Sequence, residues 1–346
     1  MKKSLLYILA ITTALVSCSK DLEQDGGLLS TPLVFSPTTE WPEMETGKAS
    51  GNGTKALINS ANDLQDYGIS LFATATKGGD TYPVFNNDEL KFTDGAWNYD
   101  LTKYWIPGAK YSFAAFAPYA GTESNSGKNK ISNGSVSISN IDDNHLLKVT
   151  GYNTGKGVDY DARTEDLIGA QYTRDNTWND DFSVVPLEFE HLLSCVAIYI
   201  RNATNTDIVS LSDIKLTGLK YLCDITITSS SISLDTQNEV AGDGIFTSEN
   251  RGGSGNTFLP KGMAEADYKP LFDCDYLTLL PQSLWGENII ITLKAGNKTY
   301  SANLGNIPEV MRWNKGKKYR YNITITSTDI VFQVVEVPWI EHDVEL

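Results

Sequence analysis

Apolar and polar residues alternate along this chain in short runs. In Tyr319-Arg320-Tyr321-Asn322-Ile323-Thr324-Ile325-Thr326 the tyrosines and isoleucines fall on one side and polar residues on the other. That is the period-two pattern of a half-buried strand. Comparable apolar or alternating runs recur at Thr31–Pro37, Gly68–Thr74, Tyr111–Pro118, Lys130–Ile141, Val184–Phe189 and Ser194–Ile200. They continue at Ile214–Leu219, Cys223–Ser233, Tyr276–Pro281, Asn288–Ala295, Lys318–Ile325 and Ile330–Val337. Gly, Asn, Asp and Ser separate them, and no long segment carries an apolar stripe at helical spacing. The pattern predicts an all-β protein built from sandwiches.

The one apolar run of a different kind opens the chain. Lys2 and Lys3 precede Leu5-Leu6-Tyr7-Ile8-Leu9-Ala10-Ile11, and Leu15-Val16-Ser17-Cys18 closes the segment. A positive start, a short apolar stretch and a small residue before the cut have the form of a secretory signal peptide. The end resembles a bacterial lipobox, in which cleavage leaves Cys18 first and lipid-bearing. A short membrane anchor or an unlipidated signal is the alternative. Residues 1–17 are therefore expected to be a signal peptide, and 18–30 a lipidated tether, polar and Gly-containing. The polar connection Trp178-Asn179-Asp180-Asp181 divides the remainder into an N-terminal β-sandwich domain, 31–183, and a C-terminal one, 184–346.

Charge narrows the partners. The chain carries net charge -15, and removing Lys2 and Lys3 makes the rest more acidic. Such a surface repels phosphates, which excludes nucleic acid, and leaves the membrane to be reached only through the lipid anchor. With Cys18 assigned to lipid, Cys195, Cys223 and Cys274 remain; an odd number cannot all pair, and their disulfide state is open. Their spacing fits no zinc pattern. No HExxH, GxSxG or P-loop is present, so neither an enzyme nor a metal or other cofactor is expected. His191, which ends the alternating strand Pro186-Leu187-Glu188-Phe189-Glu190, reads as a structural histidine rather than a base, because no motif gives it a nucleophile.

The tryptophans carry a weak internal repeat. Trp105-Ile106-Pro107-Gly108-Ala109-Lys110-Tyr111 and Trp313-Asn314-Lys315-Gly316-Lys317-Lys318-Tyr319 align as W-x-x-G-x-K-Y. Each is expected to launch a strand from a turn, with its Trp capping one end of a core. The competing reading is a sugar-stacking platform formed by Trp97, Trp105, Trp178, Trp285, Trp313 or Trp339.

Several segments together resemble the fimbrillin-like (Mfa-like/FimA-like) proteins of Bacteroidetes, the type V pilus subunits. They are the lipobox; Gly53-Thr54-Lys55-Ala56 followed by Tyr67-Gly68-Ile69-Ser70-Leu71-Phe72-Ala73; Tyr104–Tyr111 leading into Ser112-Phe113-Ala114-Ala115-Phe116-Ala117-Pro118; Pro186–Ser194; Leu279-Leu280-Pro281-Gln282; and Trp313–Thr326. The resemblance implies two tandem transthyretin-like β-sandwich domains. It implies export as an outer membrane lipoprotein precursor to the cell surface, then incorporation into a fimbrium. A trypsin-like maturation protease would cut after the first strand, at Lys55-Ala56 or, as second choice, Lys48-Ala49. Relatives commonly have arginine there, so lysine leaves the protease's identity open. The displaced strand would carry Leu33, Val34 and Phe35. A donor strand from another fimbrial subunit would fill the vacated groove by β-augmentation, giving a head-to-tail polymer. In this chain Ile330, Phe332, Val334, Val335 and Val337 form a donor or closing strand, ended by Pro338. Host or bacterial surface ligands are further expected partners of an adhesin. Stalk, tip and anchor roles stay open, and the reading from another class is a surface glycan-binding lipoprotein.

Overall fold

The computed structural model describes residues 31–39, 58, 61–120, 137–138, 147–154, 166–175, 184–237, 246–248, 251–252, 258–272 and 276–338. Cys18, Lys48, Ala49, Lys55, Ala56, Trp178, Cys274 and Trp339 lie outside them. Strands are the dominant element of the described chain. Its first half runs β1 (Phe35–Thr39), a short helix α1 (Ala61–Gln65), β2 (Ile69–Lys77), β3 (Asp80–Thr93), β4 (Ala96–Asn98), β5 (Lys110–Ala117), β6 (Ser137–Ile138), β7 (Leu147–Asn153), β8 (Ile168–Asp175) and β9 (Val185–His191). The second half runs β10 (Ser194–Asn202), β11 (Ser210–Thr217), β12 (Leu222–Ile227), β13 (Ile232–Thr236), β14 (Phe246–Ser248), β15 (Arg251–Gly252) and β16 (Lys269–Pro270). It ends with β17 (Leu277–Leu279), β18 (Gln282–Ser283), β19 (Ile290–Ala295), β20 (Lys298–Asn303), β21 (Arg312–Trp313), β22 (Lys317–Ile325) and β23 (Ile330–Pro338).

A seven-stranded sheet, β1-β9-β8-β5-β2-β3-β4, organises the first half. Its inner strand β2 is buried at seven successive positions from Ile69 to Ala75. Successive side chains point to opposite faces, so the sheet is covered on both at this strand. On one face Leu71, Ala73 and Phe113 pack with Phe35, Phe85, Val185, Leu187 and Phe189 in a single core. Phe35 at one edge meets Phe85, from β3 near the other edge, at 5.5 Å between ring centres, so the sheet curls on itself to enclose that core. On the other face Phe72, Ala114 and Phe116 pack with Leu147, Val149, Cys223, Ile225 and Ile227.

That second cover is a four-stranded sheet, β13-β12-β7-β6. Half of it is the β12–β13 hairpin, which comes from beyond residue 220. The strand that opens after the expected division at residue 183, β9, likewise pairs with β1 and β8 in the first sheet, because Val185, Leu187 and Phe189 point into the core that holds Phe35. The chain passes to the second sandwich only at Leu192-Leu193. There one sheet centres on β10 and β22, which run parallel, with β23 at its edge. The other is β14-β11-β19-β20. Val196, Ile198, Ile200, Leu216, Ile291, Tyr321 and Ile323 fill the space between.

The two W-x-x-G-x-K-Y segments do the same job. The backbone N–H after each Trp donates to the hydroxyl of the motif's Tyr, Ile106 to Tyr111 at 2.7 Å and Asn314 to Tyr319 at 2.9 Å. Gly108 and Gly316 turn the chain at φ 74° and 65°, in the left-handed region that a side chain disfavours. Both Tyr rings are fully buried, and Trp105 and Trp313 are 4% and 0% exposed. Each motif thus closes one end of a sandwich and starts its central strand, β5 or β22.

Cys195 and Cys223 are buried thiols. Burial, with Asp224 and Asp235 nearby, pushes the Cys223 thiol far above its ordinary range, and a thiol that cannot ionise is a poor nucleophile. Iodoacetamide at about pH 8 should leave Cys223 unmodified in the folded chain and label it after urea unfolding, as read by peptide mass mapping. Rapid labelling of the folded chain would mean that the β12–β13 hairpin does not stay docked.

Candidate functional site

The feature that distinguishes this fold from a closed sandwich is its first strand. Thr31 to Thr39 lies along the rim of the curled sheet. Leu33, Phe35 and Pro37 point inward and are buried, while Val34, Ser36 and Thr38 face solvent. Leu33 and Phe35 are 2% and 4% exposed, Val34 46%. The alternation expected of a removable strand at Leu33, Val34 and Phe35 is present side chain by side chain. Phe35 meets three rings edge-on, Phe85, Tyr99 and Phe113, at 5.5, 5.8 and 5.9 Å. Edge-to-face contacts put the positive ring edge on a neighbour's negative face, and such pairs add to the area they bury.

Main-chain bonds hold the strand on both sides, differently. Toward β9 it pairs in parallel, Phe35 opposite Val185 through Thr39 opposite Phe189, beginning with the bond from Val185 N–H to the Val34 carbonyl at 2.8 Å. Toward the 103–105 segment there is a short clasp: Leu33 N–H donates to Lys103 O at 2.8 Å and Trp105 N–H to Thr31 O at 3.0 Å. The Tyr99 hydroxyl adds a bond to the Leu33 carbonyl at 2.8 Å. Burial raises the pKa of that hydroxyl, so it stays a donor through neutral pH. No covalent link and no long antiparallel ladder fixes this strand among the described residues.

Both candidate cleavage pairs, Lys55-Ala56 and Lys48-Ala49, fall between β1 and Ile58 and lie outside the described residues. Ile58 is fully buried, and its N–H donates to Asp166 Oδ2 at 3.3 Å. That carboxylate also accepts from Leu167 N–H at 2.8 Å, and its Oδ2 lies 2.7 Å from His191 Nδ1. Asp166 and His191 are both buried, and a buried polar pair of this kind is costly to break. The expected structural histidine at the strand end therefore has an acid partner and, through it, tethers the chain just past the candidate cuts. Sequence reasoning missed Asp166, which carries no motif; its only signal is position, next to the apolar Leu167-Ile168.

At the other end of the chain β23 pairs antiparallel with β22 along its whole length, from Lys317 opposite Pro338 to Ile325 opposite Ile330. Ile330 is buried, and Phe332 and Val334 pack on the C-terminal core, while Val331 is 56% exposed. Val335 and Val337 continue the ladder opposite Arg320 and Lys318. Here the run closes its own sheet as the last strand.

The tryptophans do not share an exposed face among the described residues. Trp105 and Trp313 are core residues, and Trp313 donates its Nε1–H to the Tyr321 hydroxyl at 2.9 Å. Trp97 is half-buried against Phe92, 5.4 Å away, and Trp285 stands apart, 52% exposed. No group of three or more His, Cys, Asp or Glu among the described residues could hold a metal.

A sequence model of the fimbrillin-like family matches residues 54–339. No curated protein sequence matches. Among solved structures the fold is similar to a fimbrial protein from Bacteroides vulgatus, with 15% identity, TM-score 0.58, and 89% of this chain and 99% of that one covered. It is also similar to a candidate cell adhesion protein from Bacteroides ovatus, with 12% identity, TM-score 0.53, and 91% and 100% coverage.

Phe35→Ala should destabilise the uncut chain by about 3–5 kcal/mol, the cost of emptying a packed aromatic site. It cannot affect a chain from which β1 has been removed, and thermal melts of both forms separate the two cases. Tyr99→Phe should lower the stability of the uncut chain by about 1 kcal/mol through loss of one partly buried hydrogen bond. Melting points that match the wild type in both variants would show that this strand is not part of the cooperative fold.

Proposed function

The chain belongs to the fimbrillin-like family, and from that premise we propose that it is a fimbrial subunit or fimbria-associated adhesin assembled at the cell surface by exchange of its first strand. In this reading the precursor travels as a lipoprotein held by Cys18. A trypsin-like protease cuts at Lys55-Ala56, or at Lys48-Ala49, and the segment through β1 leaves with the lipid. The observation that supports it best is the form of β1. It is short, amphipathic and paired in parallel to β9, and Leu33 and Phe35 fill a groove whose remaining walls, Phe85, Tyr99, Phe113 and Leu187, belong to parts of the chain that stay behind.

Departure of β1 leaves the outer edge of β9 with unpaired N–H and C=O groups and the groove without its two apolar side chains. Both defects are repaired by one extended peptide of alternating pattern, which is β-augmentation. A run such as Ile330, Phe332, Val334 with Val335 and Val337 has that pattern, and supplied by a neighbouring copy or another subunit it would link molecules head to tail. Such a contact does not close on itself and grows a filament. The Ile58–Asp166–His191 tether would hold the new N-terminal end of the cut subunit in place while β1 departs.

Limited trypsin treatment of the chain from Ser19, followed by intact mass and electron microscopy, tests this. The expected result is one cut, after Lys55 or Lys48, release of the segment holding Leu33 and Phe35, and filaments. A resistant chain, or a cut product that keeps the segment and stays monomeric, would leave an anchor or tip protein that does not polymerise in this way.

A further inference from the structure

One end of the C-terminal sandwich is concave. β10 and β22 run parallel, so Asn202 and Ile325 leave the sheet together, about 26 Å from the β9–β10 junction at the usual rise of a strand. Three connections meet there: residues 203–209, the β19–β20 turn and the β22–β23 turn. They line a half-open cleft of about 450 Å³, within the size range of small-molecule sites.

Internal bonds hold the walls in place. Asn202, fully buried, accepts from Thr204 N–H at 2.9 Å and its hydroxyl at 2.7 Å, and donates to Thr206 O at 2.8 Å. Lys261 N–H fixes Asp207 by one oxygen, Oδ1, at 2.8 Å. Thr326 and Asp329 close the β22–β23 turn on each other, at 2.8 and 3.0 Å. Lys298 donates to the Ser327 and Thr328 carbonyls at 2.8 and 2.9 Å, with its ammonium 4.6 Å from the centre of the Tyr300 ring.

What these bonds leave over defines the ligand. The Asn205 amide, the Ser210 and Ser327 hydroxyls and Asp207 Oδ2 take no part in them, and their residues line the cleft. Together they both donate and accept, as neighbouring ring hydroxyls do. The accessible apolar lining is small: Ile208 and Tyr300 are 9% and 7% exposed, with Lys298 over the Tyr300 ring, which leaves mainly Val209, 42% exposed. Asp207 and Lys298 cancel in charge, and two donors of the lysine are committed to the wall, so an anionic group gains little here. We infer that this cleft binds a neutral sugar, one or two pyranose units, held through its hydroxyls by Asp207, Asn205 and Ser210. The site stands independently of the strand-exchange reading. It lies a strand's length from the β9–β10 junction, and β1 lines no part of it. Ser327 sits in the turn that starts β23, so the cleft is complete only in a molecule whose own β23 is in place.

Saturation-transfer NMR on the full chain in detergent, with lactose, cellobiose and maltose as probes, tests the inference. Transfer to the ring protons of at least one disaccharide is expected. Asp207→Asn keeps an acceptor for Lys261 N–H but loses the charge, and should weaken binding roughly tenfold. Asn205→Ala should also weaken it, and neither exposed substitution should move the melting point. No transfer from any probe at roughly 10 mM, enough to fill a site of about 1 mM affinity, would overturn the inference. So would transfer that both variants leave unchanged.

Discussion

The inner strands of the seven-stranded sheet have no solvent face, and the rest of the structure follows from covering both sides of them. An antiparallel sheet usually keeps one face wet and reads as an alternation of apolar and polar residues. β2 instead presents Leu71, Ala73 and Ala75 to one side and Ser70, Phe72 and Thr74 to the other, all buried. The first side is covered by the sheet's own curl, which needs an edge strand to complete it, and that strand is β1. The second side is covered by β12–β13, borrowed from beyond residue 220. One requirement therefore accounts both for an edge strand that fills a core and for a hairpin from beyond residue 220 that packs on the first sheet.

The two covers differ in how they are held. β12–β13 is tied by connections at both ends and by the antiparallel ladder of β12 with β7. β1 is tied by a five-residue parallel register, a short clasp at 31–33 and the side chains of Leu33 and Phe35. Loss of β1 therefore opens one core and leaves the other intact. The Asp166–His191 pair sits between them, bonded to Ile58 on one side and ending β9 on the other.

Much of this was legible in the sequence where period two was strong. β9, β22 and β23 follow the alternation of their residues and β10 its apolar run, and the W-x-x-G-x-K-Y repeat predicted a shared way of starting a strand. β3 escaped notice because Asn86-Asn87-Asp88-Glu89 breaks its pattern; it buries only Phe85 and Leu90 and shifts register twice against β2. β20 buries only Tyr300 and reads as a polar loop. Cys223–Ser233 looked like one strand because the turn at Ser229-Ser230-Ser231 is as rich in Ser and Thr as the strands beside it. Its destination on the N-terminal sheet was beyond reach, since pairing across some 70 residues is set by tertiary packing and leaves no local mark. The parallel partner of β1 was hidden for the same reason. The polar cleft carries no motif at all: it is an assembly of three turns.

The proposed exchange of β1 would be constrained by energy as well as by geometry. Fully burying a side chain such as Leu33 or Phe35 contributes about 1.5–3 kcal/mol each, so a subunit that simply lost this strand would give up roughly 3–6 kcal/mol. A whole domain is stable by only about 5–15 kcal/mol. An empty groove would thus be close to unfolding and would expose a sheet edge open to pairing with other chains. Strand loss is tolerable only if replacement is fast or if the strand stays until its successor arrives. The parallel pairing of β1 suits the second route. Its clasp at Thr31–Leu33 can release while the register at Phe35–Thr39 still holds, so an incoming peptide can begin at the freed end and displace the rest residue by residue.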